Sequence, residues 1–495
     1  MGYLKHVLIA MLLPVTAWAQ EKTGEAHRPQ IHFTPKKGWM NDPNGMVYFN
    51  GTYHLFFQHN PNSTVWGPMH WGHAVSKDLV HWEELPIALY PDSLGTIFSG
   101  SAVIDAYNTA GFGKNAMVAI YTNHNHAQEQ AGSDKFQNQS IAYSLDEGKT
   151  WTKYEGNPVL SNPGIRDFRD PKVSWYDAGN KWIMTLATKD HITFYSSTDL
   201  KHWKEESQFG KDLGSHGGVW ECPDLFPLHY KGQLVWVLIV NVNPGGPNGG
   251  SATQYFTGTF DGHTFTADHK DVRWLDYGPD EYAGITWSNT GNRKIFLGWM
   301  SNWQYANVVP TGNWRSATTV ARELRPVATK EGFLVASEPV KELSRLGGKV
   351  FTEKNVSADN YRLTAKAGKL AGPAKLSLSF AKASSFTVTL SNDLGEQTVI
   401  GYDDTKHEYF IDRTKSGETT FEKGFAGRHI APGFATGDAM NLELVIDDAS
   451  VELFADQGLT VMTSIFFPKK NYTDITISSG AKVNKLLYQV LKSGL

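Results

Sequence analysis

Asp42, Asp170 and Glu221 stand out because each heads a stretch that alternates apolar and polar residues. Asp42-Pro43 leads into MVYFNGTYHLFFQ, Asp170-Pro171 into KVSWYDAGNKWIMTLAT, and Glu221-Cys222-Pro223 into DLFPLHYKGQLVWVLIV. Asn50-Gly51 within the first is a strong signal for a two-residue hairpin turn. Two further stretches behave alike, one opening at Phe98-Ser99-Gly100 and one at Gly284. If three acids were brought together among aromatic rings, the chemistry they suit is glycosidic bond cleavage. One carboxylate attacks, and a second carboxyl, about 5–5.5 Å away, protonates the leaving oxygen. Asp42 lies in the tight, polar run Trp39-Met40-Asn41-Asp42-Pro43-Asn44-Gly45, a setting for an ionised group, in which Trp39 and Met40 read as loop support. Glu221 has the longer reach, and its apolar neighbours Trp220 and Cys222 would favour its protonated form. Arg169 precedes Asp170 and could hold it ionised against sugar hydroxyls. On spacing alone, these acids could instead bind a ligand without chemistry, cap turns, or hold Ca²⁺. The absence of a D-x-D-x-D-G loop and the interleaved tryptophans favour sugar over an ion. The run Asn123-His-Asn-His126 invites a transition metal, but reads better as a solvated loop.

The elements that would gather the acids are legible as a repeat. Ser76-Lys-Asp78-Leu-Val-His-Trp82, Ser144-Leu-Asp146-Glu-Gly-Lys-Thr-Trp151, Ser197-Thr-Asp199-Leu-Lys-His-Trp203 and Thr259-Phe-Asp261-Gly-His-Thr-Phe265 share one pattern. In each, the Asp is placed to cap backbone N–H groups of a turn while the closing ring packs between units, a structural duty. Strand-rich units of this length point to propeller blades. The five hairpins give about five blades over residues 30–325. The first strand of a blade is innermost, so Asp42, Asp170 and Glu221 are expected to converge at one mouth of the central channel. Beyond about residue 340 the pattern changes. Ser337–Leu343 reads as a short linker helix, and period-2 segments such as LSLSF, FTVTL, LELVI and VELFA follow. The fold expected is all-β, a five-bladed propeller (25–336), a linker (337–349) and a C-terminal β-sandwich (350–495) with no catalytic constellation.

Composition excludes several classes. The 495 residues carry 46 Lys+Arg against 50 Asp+Glu, a formal charge of −4, so no basic stripe for nucleic acid is apparent. The 40% hydrophobic content is too high for intrinsic disorder. A single Cys, Cys222, rules out an intrachain disulfide. Lys5, the apolar run Val7–Leu13 and Ala17-Trp18-Ala19 read as a signal peptide over 1–19, cleaved after Ala19 and with no nearby Cys for a lipid anchor. Export to the periplasm or the outside is expected. No later segment resembles a membrane span.

At these residues the chain resembles glycoside hydrolase family 32, the β-fructosidases. The matching motifs are WMNDPNG at 39–45, WGPMHWGHAVSKDLVHWEELPIAL at 66–89, FSGSA at 98–102, FRDPK at 168–172, WECPDLF at 220–226 and GWMSNWQYANVVPTGNWRSAT at 298–318. The C-terminal part carries no comparable motif. The resemblance implies a five-bladed propeller followed by a β-sandwich. It implies Asp42 as nucleophile, Glu221 as acid/base and Asp170 as the stabiliser of the transition state. It implies Asn41, Gln58, Ser99 and Arg169 as polar contacts to fructose, Trp66 and Trp303 as aromatic walls, and Phe98 and Tyr282 flanking the pocket. No cofactor, metal or obligate protein partner is implied. The chain looks most like bacterial secreted levanases and exo-inulinases, so exo-release of fructose from levan, inulin or sucrose is expected. An endo-levanase or endo-inulinase, a sucrose-specific invertase, a fructosyltransferase and a catalytically silent fructan-binding protein are the alternatives.

Overall fold

A computed structural model describes residues 25–434, 437 and 439–494. The expected signal peptide at 1–19 lies outside them. Five antiparallel sheets succeed one another along the chain, each beginning with the strand that heads one hairpin. These inner strands are Gly38–Phe49, Thr96–Asp105, Phe168–Tyr176, Val219–Tyr230 and Tyr282–Thr286, for blades one to five. Trp314–Arg315, in the chain that leaves blade five's second strand, pairs in parallel with Gly38-Trp39 and closes the ring onto blade one. The molecule is thus a five-bladed propeller with a C-terminal β-sandwich, as expected.

Local chemistry accounts for the blade connections. Asn50 and Gly51 both have positive φ, at 46° and 76°, the geometry of the tight hairpin turn their types favour. Asp78 accepts from the backbone N–H groups of Val80 and His81, and Asp199 from those of Lys201 and His202. Asp146 and Asp261 cap their own turns in the same way. The closing rings then pack between blades: Trp82 stacks on Trp287 of blade five at 6.2 Å, and Trp151 meets Phe56 of blade one edge-on at 5.5 Å.

The segment expected as a linker helix differs. The strand Gly332–Pro339 runs through its first residues, pairing with Arg322–Thr329 to complete blade five, and a 3-10 turn follows at Lys341–Leu346. Ladder pairing out to Pro339↔Arg322 outcompetes the local helical tendency of so short a stretch. From Gly347, two six-stranded sheets pack face to face. The strands Ala374–Phe380 and Phe386–Ser391 alternate cleanly: Leu376, Leu378 and Phe380 point into the shared core with Val388 and Leu390.

Two buried ionic clusters join propeller and sandwich. Arg322 of blade five donates to Asp276 at 2.9 Å, to Glu452 at 2.5 Å and to Thr463 at 2.7 Å. His32, ahead of blade one, lies 2.8 Å from both Asp447 and Glu452. Burial opposes the charge on His32, but its two carboxylate partners outweigh that and lift its pKa to about 9. The second cluster joins Arg413 of the sandwich to Asp280 at 2.5 Å and to the Tyr305 hydroxyl at 2.8 Å.

Candidate active site

Every inner strand breaks its ladder at the same place. The register with the second strand shifts between Met40 and Pro43, Ile97 and Gly100, Arg169 and Lys172, Glu221 and Asp224, and Tyr282 and Ile285. These are β-bulges, which re-aim side chains at the end of a strand. In three blades the cause is visible in the sequence, because Pro43, Pro171 and Pro223 cannot donate to a ladder. In blade two, Gly100 is required because a Cβ there would lie 2.1 Å from the Ile120 carbonyl oxygen. Asp170, Cys222 and Ala283 all hold positive φ, at 65°, 42° and 53°, a conformation that non-glycine residues adopt at a cost of about 1–3 kcal/mol.

The bulges turn Asp42, Asp170 and Glu221 into one cavity of about 440 Å³. Asn41, Gln58, Trp66, Phe98, Ser99, Arg169 and Trp303 line it with them. Asp42 accepts from Ser99 Oγ at 2.6 Å and Asn41 Nδ2 at 2.8 Å, and the Cys222 thiol points at it from 3.5 Å. Burial raises its pKa, and those hydrogen bonds oppose the rise. Asp170 accepts the Cys222 backbone N–H at 3.1 Å. Gln58 is fixed by Asn44 Oδ1 at 2.8 Å and the Ile97 carbonyl at 3.0 Å, while Trp39 orients Asn41 through a 2.7 Å bond. Trp303 stacks on Trp39 at 5.8 Å, and Trp66 meets Phe98 edge-on at 6.0 Å.

Four expectations need correction. Arg169 turns mainly to Glu221, at 3.0 Å, and to Asp167 at 2.5 Å, and lies 3.9 Å from Asp170. Asp170 is therefore not held ionised: burial lifts its pKa to about 7, with Arg169 opposing and Glu221 and Asp42 adding to the rise. Trp220 does not shield Glu221, because alternation along the strand turns its ring into the core between blades three and four, where it packs near Phe256. Tyr282 is not a pocket wall. It is almost wholly buried, and its hydroxyl donates to Glu221 from behind. Asn123–His126 is not a solvated loop: Asn123 and His124 end the strand Ala116–His124 and are buried, and Asn125 caps the short helix His126–Gln130.

That helix supplies a second wall that sequence reasoning missed. His124, His126, Glu129, Phe136, Gln137 and Arg166 line the same cavity. One ligand atom each of His124, His126 and Glu129 falls within 4.8 Å of the others. The paired histidines at 124 and 126 were the only signal in the sequence. Nothing in their spacing ties them to acids on other blades.

Comparison with known proteins agrees with this architecture. The description "Glycosyl hydrolases family 32 N-terminal domain" matches residues 32–337, and "Glycosyl hydrolases family 32 C terminal" matches 342–490. The chain is 47% identical to a levanase of Bacillus subtilis over 98% of its own length and 73% of the relative's. It is 41% identical to an extracellular exo-inulinase of Aspergillus ficuum over 90% of both. Among solved structures, the exo-inulinase of Aspergillus awamori superposes with a TM-score of 0.86 at 37% identity, covering 96% of this chain and 100% of that one. The β-fructofuranosidase of Schwanniomyces occidentalis with fructosyl-erythritol gives 0.87 at 35% identity, covering 95% and 99%. With both of its domains matched and its bulged acids set in one cavity, the chain belongs to glycoside hydrolase family 32.

Proposed function

We propose that the protein is an exo-acting fructan β-fructosidase that releases terminal β-D-fructofuranosyl units from levan or inulin, and fructose from sucrose, with retention. The observation that carries the reading is the convergence of three carboxylates, from three bulged inner strands, on one small-molecule-sized cavity. Asp42 attacks the anomeric C2, and the bond to the leaving oxygen breaks as Glu221 delivers a proton to it. Asp170 and Arg169 hold the fructosyl hydroxyls, with hydrogen bonds that tighten as the oxocarbenium-like state forms. Glu221 then takes a proton from water, which opens the fructosyl–Asp42 ester.

The proton inventory suits this cycle. Burial lifts the pKa of Asp170 to about 7, with Glu221 and Asp42 adding to the rise and Arg169 opposing it, so Asp170 can donate as well as accept at sugar hydroxyls near neutral pH. Ser99 and Asn41 favour the ionised form at Asp42. Arg169 and Tyr282 fix the Glu221 carboxyl from two sides, so its reach is set before substrate arrives. The relatives' exo-inulinase and levanase names support a polymer substrate, and the extracellular description of the exo-inulinase supports export of this chain. Among the described residues, no helix is long and apolar enough to cross a membrane.

Incubation with levan, inulin and sucrose, followed over time, tests the reading. Free fructose as the sole early low-molecular-weight product from levan and inulin, and equal amounts of glucose and fructose from sucrose, are expected. A ladder of oligomers from the start refutes exo action, and growth of longer oligosaccharides from sucrose points to transfer.

A further inference from the structure

A directed chain of hydrogen bonds runs from the catalytic strand of blade three to the far wall of the cavity. The Phe168 backbone N–H, two residues before Asp170, donates to Gln137 Oε1 at 2.9 Å. With its oxygen so engaged, the Gln137 amide nitrogen faces His124 Nδ1 at 3.2 Å and donates to it. Nδ1 is thereby the acceptor nitrogen, and the ring proton sits on Nε2. From there it reaches Glu129 Oε2 at 3.0 Å, with His126 Nδ1 beside it at 3.1 Å. The imidazole is held rigidly, stacked on Phe98 at 4.2 Å and edge-on to Phe136 at 5.1 Å. Burial keeps it neutral, with a pKa lowered to about 4.

This wiring argues against a metal at His124, His126 and Glu129. A histidine that binds an ion through Nε2 carries its proton on Nδ1 and gives it to an acceptor. Gln137 presents a donor there, and reversing its amide would set two donors, its own and that of Phe168, against each other. What the chain of bonds does is fix one carboxylate, Glu129, at the cavity wall with accepting capacity to spare. Arg166 Nη2 stands 3.4 Å from its other oxygen, so acceptor and donor are side by side, the pairing that vicinal sugar hydroxyls require. This wall lines the same cavity as the three carboxylates, within which the remainder of a substrate whose fructosyl unit is seated on them also lies.

We infer that Glu129, positioned by Phe168, Gln137 and His124 and paired with Arg166, binds the hydroxyls of the sugar unit that leaves, and so sets preference for oligosaccharide over small aglycones. The inference rests on the fructosidase reading and is tested separately from it. The full-length protein, Glu129→Ala and Glu129→Gln are assayed on methyl β-D-fructofuranoside, whose leaving group is too small to reach the wall, and on a fructan trisaccharide. In Glu129→Ala, the ratio of kcat/KM for trisaccharide to that for the methyl glycoside falls about tenfold, through KM, the order expected for a lost charge-assisted bond. Glu129→Gln keeps part of the preference, and Gln137→Leu, which frees the His124 tautomer, shifts the ratio the same way by less. An unchanged ratio in Glu129→Ala overturns the inference. Calorimetric binding in an Asp42→Asn background reads the same contact without turnover: weaker trisaccharide binding than in Asp42→Asn alone, with fructose binding retained, is expected, and equal loss of both overturns it. If the unmutated protein cleaves none of these substrates, the fructosidase reading falls, while the binding titration still decides Glu129.

Discussion

Propeller and sandwich are both antiparallel β-structures of comparable strand length, yet they use the strand differently. In the sandwich, Ala374–Phe380 and Phe386–Ser391 alternate buried and half-buried residues without a break in register. In the propeller, Ala116–His124 is buried on both faces, and each inner strand is interrupted by a bulge at one end. Regular pairing satisfies the backbone and leaves side chains pointing in only two directions. The interrupted strands give up ladder bonds and accept positive φ at Asp170 and Cys222 in exchange for side chains that converge. The acids of the proposed site sit where the ladder is broken, while these two sandwich strands keep their register and their side chains stay in two directions.

The largest effect that would sharpen this contrast lies at the bulges. Asp42→Asn and Glu221→Gln are each expected to lower kcat by at least roughly 10³-fold while the melting temperature stays close to that of the parent. Near-parental turnover by either purified variant would refute the assigned roles. Next is the seam between the regions. Arg322→Met strips the partner from Asp276 and Glu452, which are fully buried, and should cost about 3–5 kcal/mol in denaturant unfolding. A loss below about 1 kcal/mol would mean that the seam is not electrostatically coupled.

The same seam has a pH signature. His32 has a folded pKa of about 9 against 6.5 when unfolded, so its contribution, up to about 3 kcal/mol, is complete below pH 6.5 and is lost as pH rises through 9. Melting temperatures measured from pH 6 to 10 should fall along that window, and His32→Asn should flatten the fall. A variant that keeps the full slope would assign it to other groups. The smallest effect returns to the site. Ser99→Ala removes the 2.6 Å bond that favours ionised Asp42, so the acidic limb of the kcat/KM profile should move to higher pH and activity should drop about tenfold. An unmoved limb would show that Ser99 does not tune Asp42.

Much of the site was legible because its signals are local. Asp-Pro and Cys-Pro steps mark ladder breaks, Asn50-Gly51 marks a hairpin, and the Asp-to-aromatic repeat marks blade turns. Adjacency in sequence pairs Arg169 with Asp170, whereas the closed ring offers it Glu221 from the next blade. The resemblance implies Tyr282 at the pocket's flank, whereas the packing of the blades buries it with its hydroxyl on Glu221. Ser337–Leu343 looks helical in sequence because the pairing of its first residues with Arg322–Leu324 has no local mark.

The sequence alone determined the blade repeat, the alternating sandwich strands and the three acids at equivalent strand heads, because periodicity and turn chemistry act within a few residues. Only the tertiary structure decided that Arg169 pairs with Glu221, that Tyr282 donates to Glu221, and that His124 and Glu129 share a cavity with the three acids. Those contacts join residues tens to hundreds of positions apart, and their distances exist only once the ring of blades has closed and the sandwich has locked against it through Arg322, His32 and Arg413.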